Sequence, residues 1–156
     1  MPATRATALG SPLNLGTSAA LCAAGTPARD IGRPQPALRA LAERGRLAGR
    51  VLDVGCGTGE HTLMAAAIGL DATGLDAATA IAIAKRKADE RGLTVHFMTG
   101  NALELADLGQ SFDTVLDCGL FHVFEDSDRP NFVAGLQRSM RGSGGRASGR
   151  CRPGPA

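Results

Sequence analysis

Between residues 36 and 140 hydrophobic positions follow two spacings that alternate along the chain. Short, nearly unbroken apolar runs at 50–54, 72–76, 94–99 and 112–117 have the length and composition of strands covered on both faces. Between them lie longer stretches of helical character. The first, 37–47, carries Leu38, Leu41 and Leu47 behind Pro34 and Pro36, with Gly49 as its expected stop. Residues 60–68 and the alanine-rich 78–91 are closed by Gly69 and Gly92, and a last helix begins at Asp128 and Pro130 and carries Phe132, Val133, Leu136 and Met140. Proline near a helix start and glycine just past its end are the expected punctuation. Strands alternating with helices at this interval predict one α/β domain on a doubly wound, mostly parallel sheet.

The pattern fails at both ends. Residues 1–35 hold prolines and small residues without a sustained period, and read as an irregular N-terminal arm. From 141 to 156 there is no Val, Ile, Leu, Phe or Met. Glycine, arginine and proline dominate there, so a disordered tail is expected. The expected domain therefore spans 36–140, with a sheet incomplete after its fourth strand, as though the chain ends early or changes reading frame near residue 140. The strand at 112–117 would then be an exposed hydrophobic edge, with self-association as its consequence.

Composition narrows the class. Apolar residues at 44% and charged residues at 21% fit a globular chain rather than a mainly disordered one. A formal charge of +2, with arginines gathered near the ends, gives no basic stripe for nucleic acid. No apolar run is long enough to span a bilayer, and Pro12, Asn14 and Gly16 interrupt the stretch that would have to serve as a secretory leader. Cys22, Cys56, Cys118 and Cys151 form no C-x-x-C pair, and His61, His96 and His122 stand at no zinc spacing. No metal site is expected, and free thiols in a cytoplasmic protein are.

In an open parallel sheet, ligands bind beyond the carboxyl ends of the strands. After the first strand stand Gly55, Gly57 and Gly59, where a backbone without Cβ atoms turns sharply and approaches a ligand closely. The helix that follows offers its free N–H groups. Asp76 ends the next strand 23 residues after Asp53, where a carboxylate can accept hydrogen bonds from ribose hydroxyls. The spacing is G-x-G-x-G rather than the G-x-G-x-x-G of nicotinamide-dinucleotide sites. An acid at Asp53 suits an ammonium better than a pyrophosphate, which it would repel.

Val51-Leu52-Asp53-Val54-Gly55-Cys56-Gly57-Thr58-Gly59, with Asp76, Asn101-Ala102 and Phe112-Asp113-Thr114-Val115-Leu116-Asp117, resembles the class I, Rossmann-like, S-adenosylmethionine-dependent methyltransferases. The resemblance covers about residues 50–140. It implies that Asp53, Gly55, Cys56, Gly57, Thr58, Gly59, Asp76, Asn101, Ala102 and Asp117 line the cofactor site. The family usually has aspartate at the position of Asn101, and an asparagine oxygen accepts the same bond without charge. Residues 24–36 further resemble the approach to the first helix in small-molecule enzymes of the thiopurine and tellurite-resistance type, although Arg29 stands where those relatives carry tryptophan.

The chemistry implied is transfer of a methyl group from a sulfonium ion to a small-molecule acceptor by in-line displacement, which asks the protein mainly for positioning and water exclusion. Asp117 and His122 are the candidates to take a proton from the acceptor. His122 reads equally as a packing residue among Leu120, Phe121, Val123 and Phe124. Asp117-Cys118-Gly119-Leu120 departs from the N/D-P-P-Y/F pattern of enzymes that methylate amide or nucleobase nitrogens. Two other readings remain: an inactive cofactor-binding fragment of such an enzyme, and an NAD-binding oxidoreductase domain.

Overall fold

A computed structural model describes residues 30–141 and 146–148. Helix α1 (Pro36–Glu43) precedes strand β1 (Arg50–Val54), then α2 (Glu60–Ala67), β2 (Asp71–Asp76), α3 (Ala78–Arg91) and β3 (His96–Thr99). A short 3-10 helix, Ala102–Leu108, leads to β4 (Thr114–Asp117), a second, Phe121–Val123, leads to α4 (Arg129–Ser139), and β5 (Arg146–Ser148) closes the sheet. The strands lie in the order β3-β2-β1-β4-β5, and every pairing is parallel. The order therefore reverses between β1 and β4, and the expected Rossmann-like sheet is present.

Alternation along each strand feeds two covered faces. Leu52, Val54, Leu75 and Val115 join Leu105, Phe112, Phe124 and Phe132 on one side, where α4 and the Ala102–Leu108 helix pack together. Val51, Ala72 and Leu116 meet Leu38, Leu47 and Ala65 on the other. A third cluster joins Cys56, Leu63, Ile81, Ala84, Ala88 and Phe97 under α2 and α3. Burial on both faces is why these strands read as unbroken apolar runs.

The helix expected at 37–47 and the strands expected at 94–99 and 112–117 are all shorter than the sequence expectation, β3 beginning only at His96. Helix α1 stops at Glu43 because Gly45 adopts φ +64 and the Gly45 and Arg46 N–H groups turn back to Ala42 and Leu41 carbonyls, both at 2.9 Å. That closure leaves Leu47 in the core but outside the helix. The strand expected from 112 is regular only from Thr114, although Phe112 bridges to Met140, its N–H donating to Ser139 at 2.7 Å and its carbonyl accepting from Arg141 at 2.9 Å. The expected bare edge on β4 is also corrected, since Thr114, Val115 and Leu116 pair with Arg146, Ala147 and Ser148. A ladder of three residues needs only backbone N–H and C=O groups, which a tail without large apolar side chains still supplies. The rest of the expected arm and tail, residues 1–29, 142–145 and 149–156, lies outside the described residues.

Two further observations bear on the bulk reading. Cys118 is disulfide-bonded, which corrects the expectation of free thiols throughout, while Cys56 is free and buried. Positions in sequence do not report which thiols meet in space. Among the described residues no helix is long and apolar enough to cross a membrane.

Candidate cofactor site

The carboxyl ends of β1, β2, β3 and β4 bring Asp53 with its glycine turn, Asp76, Asn101 and Asp117 to one side of the sheet. Asp53 is fully buried in β1. Its Oδ2 accepts from the Thr62 hydroxyl at 2.7 Å, and its Oδ1 is buried without a partner. Burial raises its pKa above the usual carboxylate range, against the opposing pull of His61 and Thr62. A buried acid with one unpartnered oxygen therefore lies beneath the turn.

The turn is fastened from below. The Gly55 and Cys56 N–H groups both donate to the Leu75 carbonyl, at 2.8 and 3.0 Å. Gly55, Gly57 and Gly59 all have positive φ, at 69, 56 and 91°, but their missing Cβ atoms serve different ends. A Cβ on Gly55 would lie 2.9 Å from Leu120, and one on Gly59 2.9 Å from Ala84 and Phe97. Only Gly57 of the three faces open space. The sequence reading gave all three glycines to ligand approach, yet two of them make room for packing.

Asp76 at the end of β2 accepts from the Gly57 N–H at 2.7 Å through Oδ2, and from Ala77 at 2.6 Å through Oδ1. The two residues expected to share a ligand are therefore already joined, with further lone pairs on the carboxylate to spare. Asn101 uses Oδ1 to cap the following 3-10 helix at the Leu103 N–H, 3.0 Å away. Ala102 opens that helix and packs against the Leu52 cluster. Asp117 accepts from the Leu120 N–H at 2.8 Å and the Phe121 N–H at 3.2 Å. Burial raises its pKa despite those bonds and the nearby His122.

Cys56 and Thr58 use their side chains in contacts within the protein. Cys56 joins the Leu63 and Phe97 cluster, and burial, reinforced by Asp53 and Asp76, holds its thiol well above the usual range. The Thr58 hydroxyl donates to Asp30. His122 is exposed, with its ring edge-on to Phe121 at 5.8 Å between centroids, so it is not the core packing residue that its apolar neighbours suggested. A groove of about 530 Å³ lined by Arg50, Thr73, Lys85 and His96 contains none of these residues. Arg50 and His96 begin their strands, which puts that groove at the wrong end of the sheet for the chemistry.

Sequence reasoning missed five residues that bear on the site. Asp30, Lys87, Glu60 and Arg91 form an ion cluster behind the glycine turn. His61, also buried, uses Nε2 to accept from the Gln35 N–H at 3.0 Å and so holds the start of α1. No spacing signal marks these contacts, because their partners stand 26 to 57 positions away in sequence.

A family model described as a methyltransferase domain matches residues 51–144, from the first residue of the β1 apolar run through the glycine turn and past β4. The chain belongs to the class I methyltransferase domain family. The methyltransferase domain is 45% identical over 118 residues to 2-heptyl-1-hydroxyquinolin-4(1H)-one methyltransferase of Mycobacteroides abscessus, covering 74% of this chain and 52% of that one. It is 43% identical over 82 residues to the ubiquinone biosynthesis O-methyltransferase of Azorhizobium caulinodans, covering 46% and 32% of the two chains. Among solved structures, one concerned with conversion of a disulfide bond into a thioacetal group during echinomycin biosynthesis superposes with a TM-score of 0.69 at 48% identity, over 72% of this chain and 48% of that one. Magnesium protoporphyrin IX methyltransferase of Synechocystis PCC 6803, solved with bound S-adenosylmethionine, gives 0.55 at 29% identity, over 64% and 49%. The methyltransferase domain spans about half the length of relatives such as the first of these.

Proposed function

We propose that the chain supplies the cofactor-binding part of an S-adenosylmethionine-dependent methyltransferase that acts on an oxygen of a small, apolar acceptor. The observation that carries this is the Gly57–Asp76 contact at 2.7 Å, on a turn whose middle glycine faces open space above a buried acid with an unpartnered oxygen. The residues fit the cofactor: Asp76 offers remaining lone pairs to ribose hydroxyls, and Asp53 gives the turn a negative field that favours an ammonium and disfavours a pyrophosphate. When bound, the cofactor supplies an electrophilic methyl group on a positively charged sulfur. Gly57 would allow the backbone to approach it, and Asn101 and Ala102 would be the residues that hold its base.

Beside β4 the chain's own groups orient and deprotonate. Asp117 holds Leu120 and Phe121 by their N–H groups and so sets the loop that carries His122. His122, exposed at this loop, takes the acceptor's proton on an imidazole nitrogen. Asp117 is half-buried and His122 is exposed, so we assign Asp117 to holding the loop and the proton to His122. Val123 is 43% exposed and offers apolar surface to the acceptor. Oxygen as the target is supported by the O-methyltransferases and the hydroxyquinolone enzyme among the relatives; the small charge of +2 favours a small acceptor over nucleic acid.

The test is calorimetric titration of the chain with S-adenosylhomocysteine, beside NAD, repeated on Asp76→Ala. We expect saturable binding of the first compound alone, and a loss of about tenfold or more in the variant from the missing charged acceptor. Binding of NAD in its place would sink the proposal, and equal affinity in the variant would remove Asp76 from the site.

A further inference from the structure

Behind the glycine turn, Lys87 of α3 makes three polar contacts that converge from three parts of the chain. Its Nζ donates to Asp30 Oδ2 at 3.1 Å, to Thr58 Oγ1 at 2.9 Å and to Glu60 Oε1 at 2.9 Å. An ammonium has three donors and no acceptor, so every proton it carries is used. The Thr58 hydroxyl donates a hydrogen bond to Asp30 while accepting from Lys87, and Asp30 also accepts from the Gly32 N–H at 2.8 Å. Arg91, one turn further along α3, makes two bonds to Glu60 at 2.9 and 3.0 Å. Two acids and two bases therefore balance. The Lys87, Asp30 and Glu60 side chains are only 17, 6 and 7% exposed, so solvent screens the cluster weakly.

Thr58 lies between Gly57, which meets Asp76, and Gly59, which is wedged against Ala84 and Phe97. It is the one residue of the turn whose side chain bonds both to α3 and to the segment ahead of α1. We propose that Lys87 is a positioning residue for the cofactor turn, clamping Thr58 and the Asp30 segment together so that the Gly57 amide is held in its ligand-ready place. The proposal rests on the methyltransferase reading above for the identity of the ligand, but not for the clamp itself. Lys87 acts through Thr58 and touches no reacting atom.

The experiment uses the full chain with Lys87→Met, Lys87→Arg, Asp30→Asn and the Asp30→Asn/Lys87→Met pair, and two readouts. Without ligand, amide hydrogen exchange at Gly57, Thr58 and Gly59 is expected to speed up about tenfold in Lys87→Met relative to the sheet amides. With S-adenosylhomocysteine, the dissociation constant is expected to rise about tenfold in Lys87→Met and to return to within about threefold of wild type in Lys87→Arg, which keeps the charge. The double variant should bind no more weakly than Lys87→Met, because both changes break one clamp. Unchanged exchange at the three amides in a folded Lys87→Met overturns the proposal, as does a loss of affinity that tracks melting temperature and is not rescued by arginine. If Lys87→Met does not fold, Asp30→Asn carries the same two outcomes. A wild-type chain that shows the clamp in exchange but binds no S-adenosylhomocysteine counts against the proposed function and leaves the clamp supported.

Discussion

On the β2 side of β1, the strand ends are fastened by bonds that cross between elements, whereas on the β4 side they are fastened within one loop. Gly57 reaches Asp76, Thr58 reaches Asp30, and Lys87 ties α3 to both sides of the turn. Asp117, by contrast, bonds only to N–H groups three and four residues ahead, and the residues beyond it include exposed His122 and Val123. Crossing bonds fix a site with little freedom. The loop after β4 is free to vary only at its exposed positions, His122 and Val123, because Phe124 and Leu120 pack into the core.

The largest expected effect that would break this contrast lies at Gly59. Gly59→Val must place a Cβ 2.9 Å from Ala84 and Phe97 at φ +91, and should cost about 3 kcal/mol or more by overpacking and backbone strain. Gly57→Ala meets nothing within 4 Å and should cost only about 1–2 kcal/mol, from its left-handed backbone. Thermal melts of the two variants check the difference; equal losses would mean that the turn is uniformly packed and that Gly57 is not its open point.

A smaller effect sharpens the contrast through pH. Burial raises the Asp30 and Glu60 carboxyls, but Thr58, Gly32 and Lys87 for the first, and Arg91 and Lys87 for the second, outweigh it, so both end below their usual values. Their stabilisation is therefore present above the unfolded carboxylate pKa of about 4 and is lost as pH falls through the folded values. Asp53 and Asp117 are shifted upward by burial, and so have the opposite sign: their contribution is present at low pH and is lost as pH rises through the folded values. Melting temperatures of wild type and the Asp30→Asn/Glu60→Gln variant, followed between about pH 6 and pH 3, should converge in acid. Parallel curves would show that the ion cluster adds nothing to the turn's stability.

The smallest effect is expected at His122. Because the side chain is exposed, His122→Ala should change stability by less than about 0.5 kcal/mol while slowing methyl transfer and leaving cofactor affinity unchanged. A large fall in melting temperature would return His122 to a packing role and blur the distinction between the two sides.

The sheet and the line of acids were legible because their signals are local. Unbroken apolar runs mark Val51, Leu52 and Val54, and a fixed step along the chain leads from Asp53 to Asp76. The division of labour among Gly55, Gly57 and Gly59 was not legible, since it depends on Leu120, Ala84 and Phe97 arriving from elsewhere. The ion cluster was hidden for the same reason, since the partners of Lys87 stand 27 to 57 positions away in sequence. The short β5 was missed because its pairing uses backbone groups that any residue carries. His122 was half legible: its position after β4 pointed to the site, but its exposure could not be read from apolar neighbours.

Gly74, in the middle of β2, has a consequence for how such a sequence can diverge. A Cβ there would lie 2.7 Å from Phe97 and 2.9 Å from the Cys56 sulfur, so strand, turn and neighbouring strand share one small volume. None of the three positions can grow unless another shrinks in the same step. Among descendants of this sequence, alanine at 74 should therefore arrive only in company with a smaller residue at 97 or 56, and the three positions should be inherited as a correlated set.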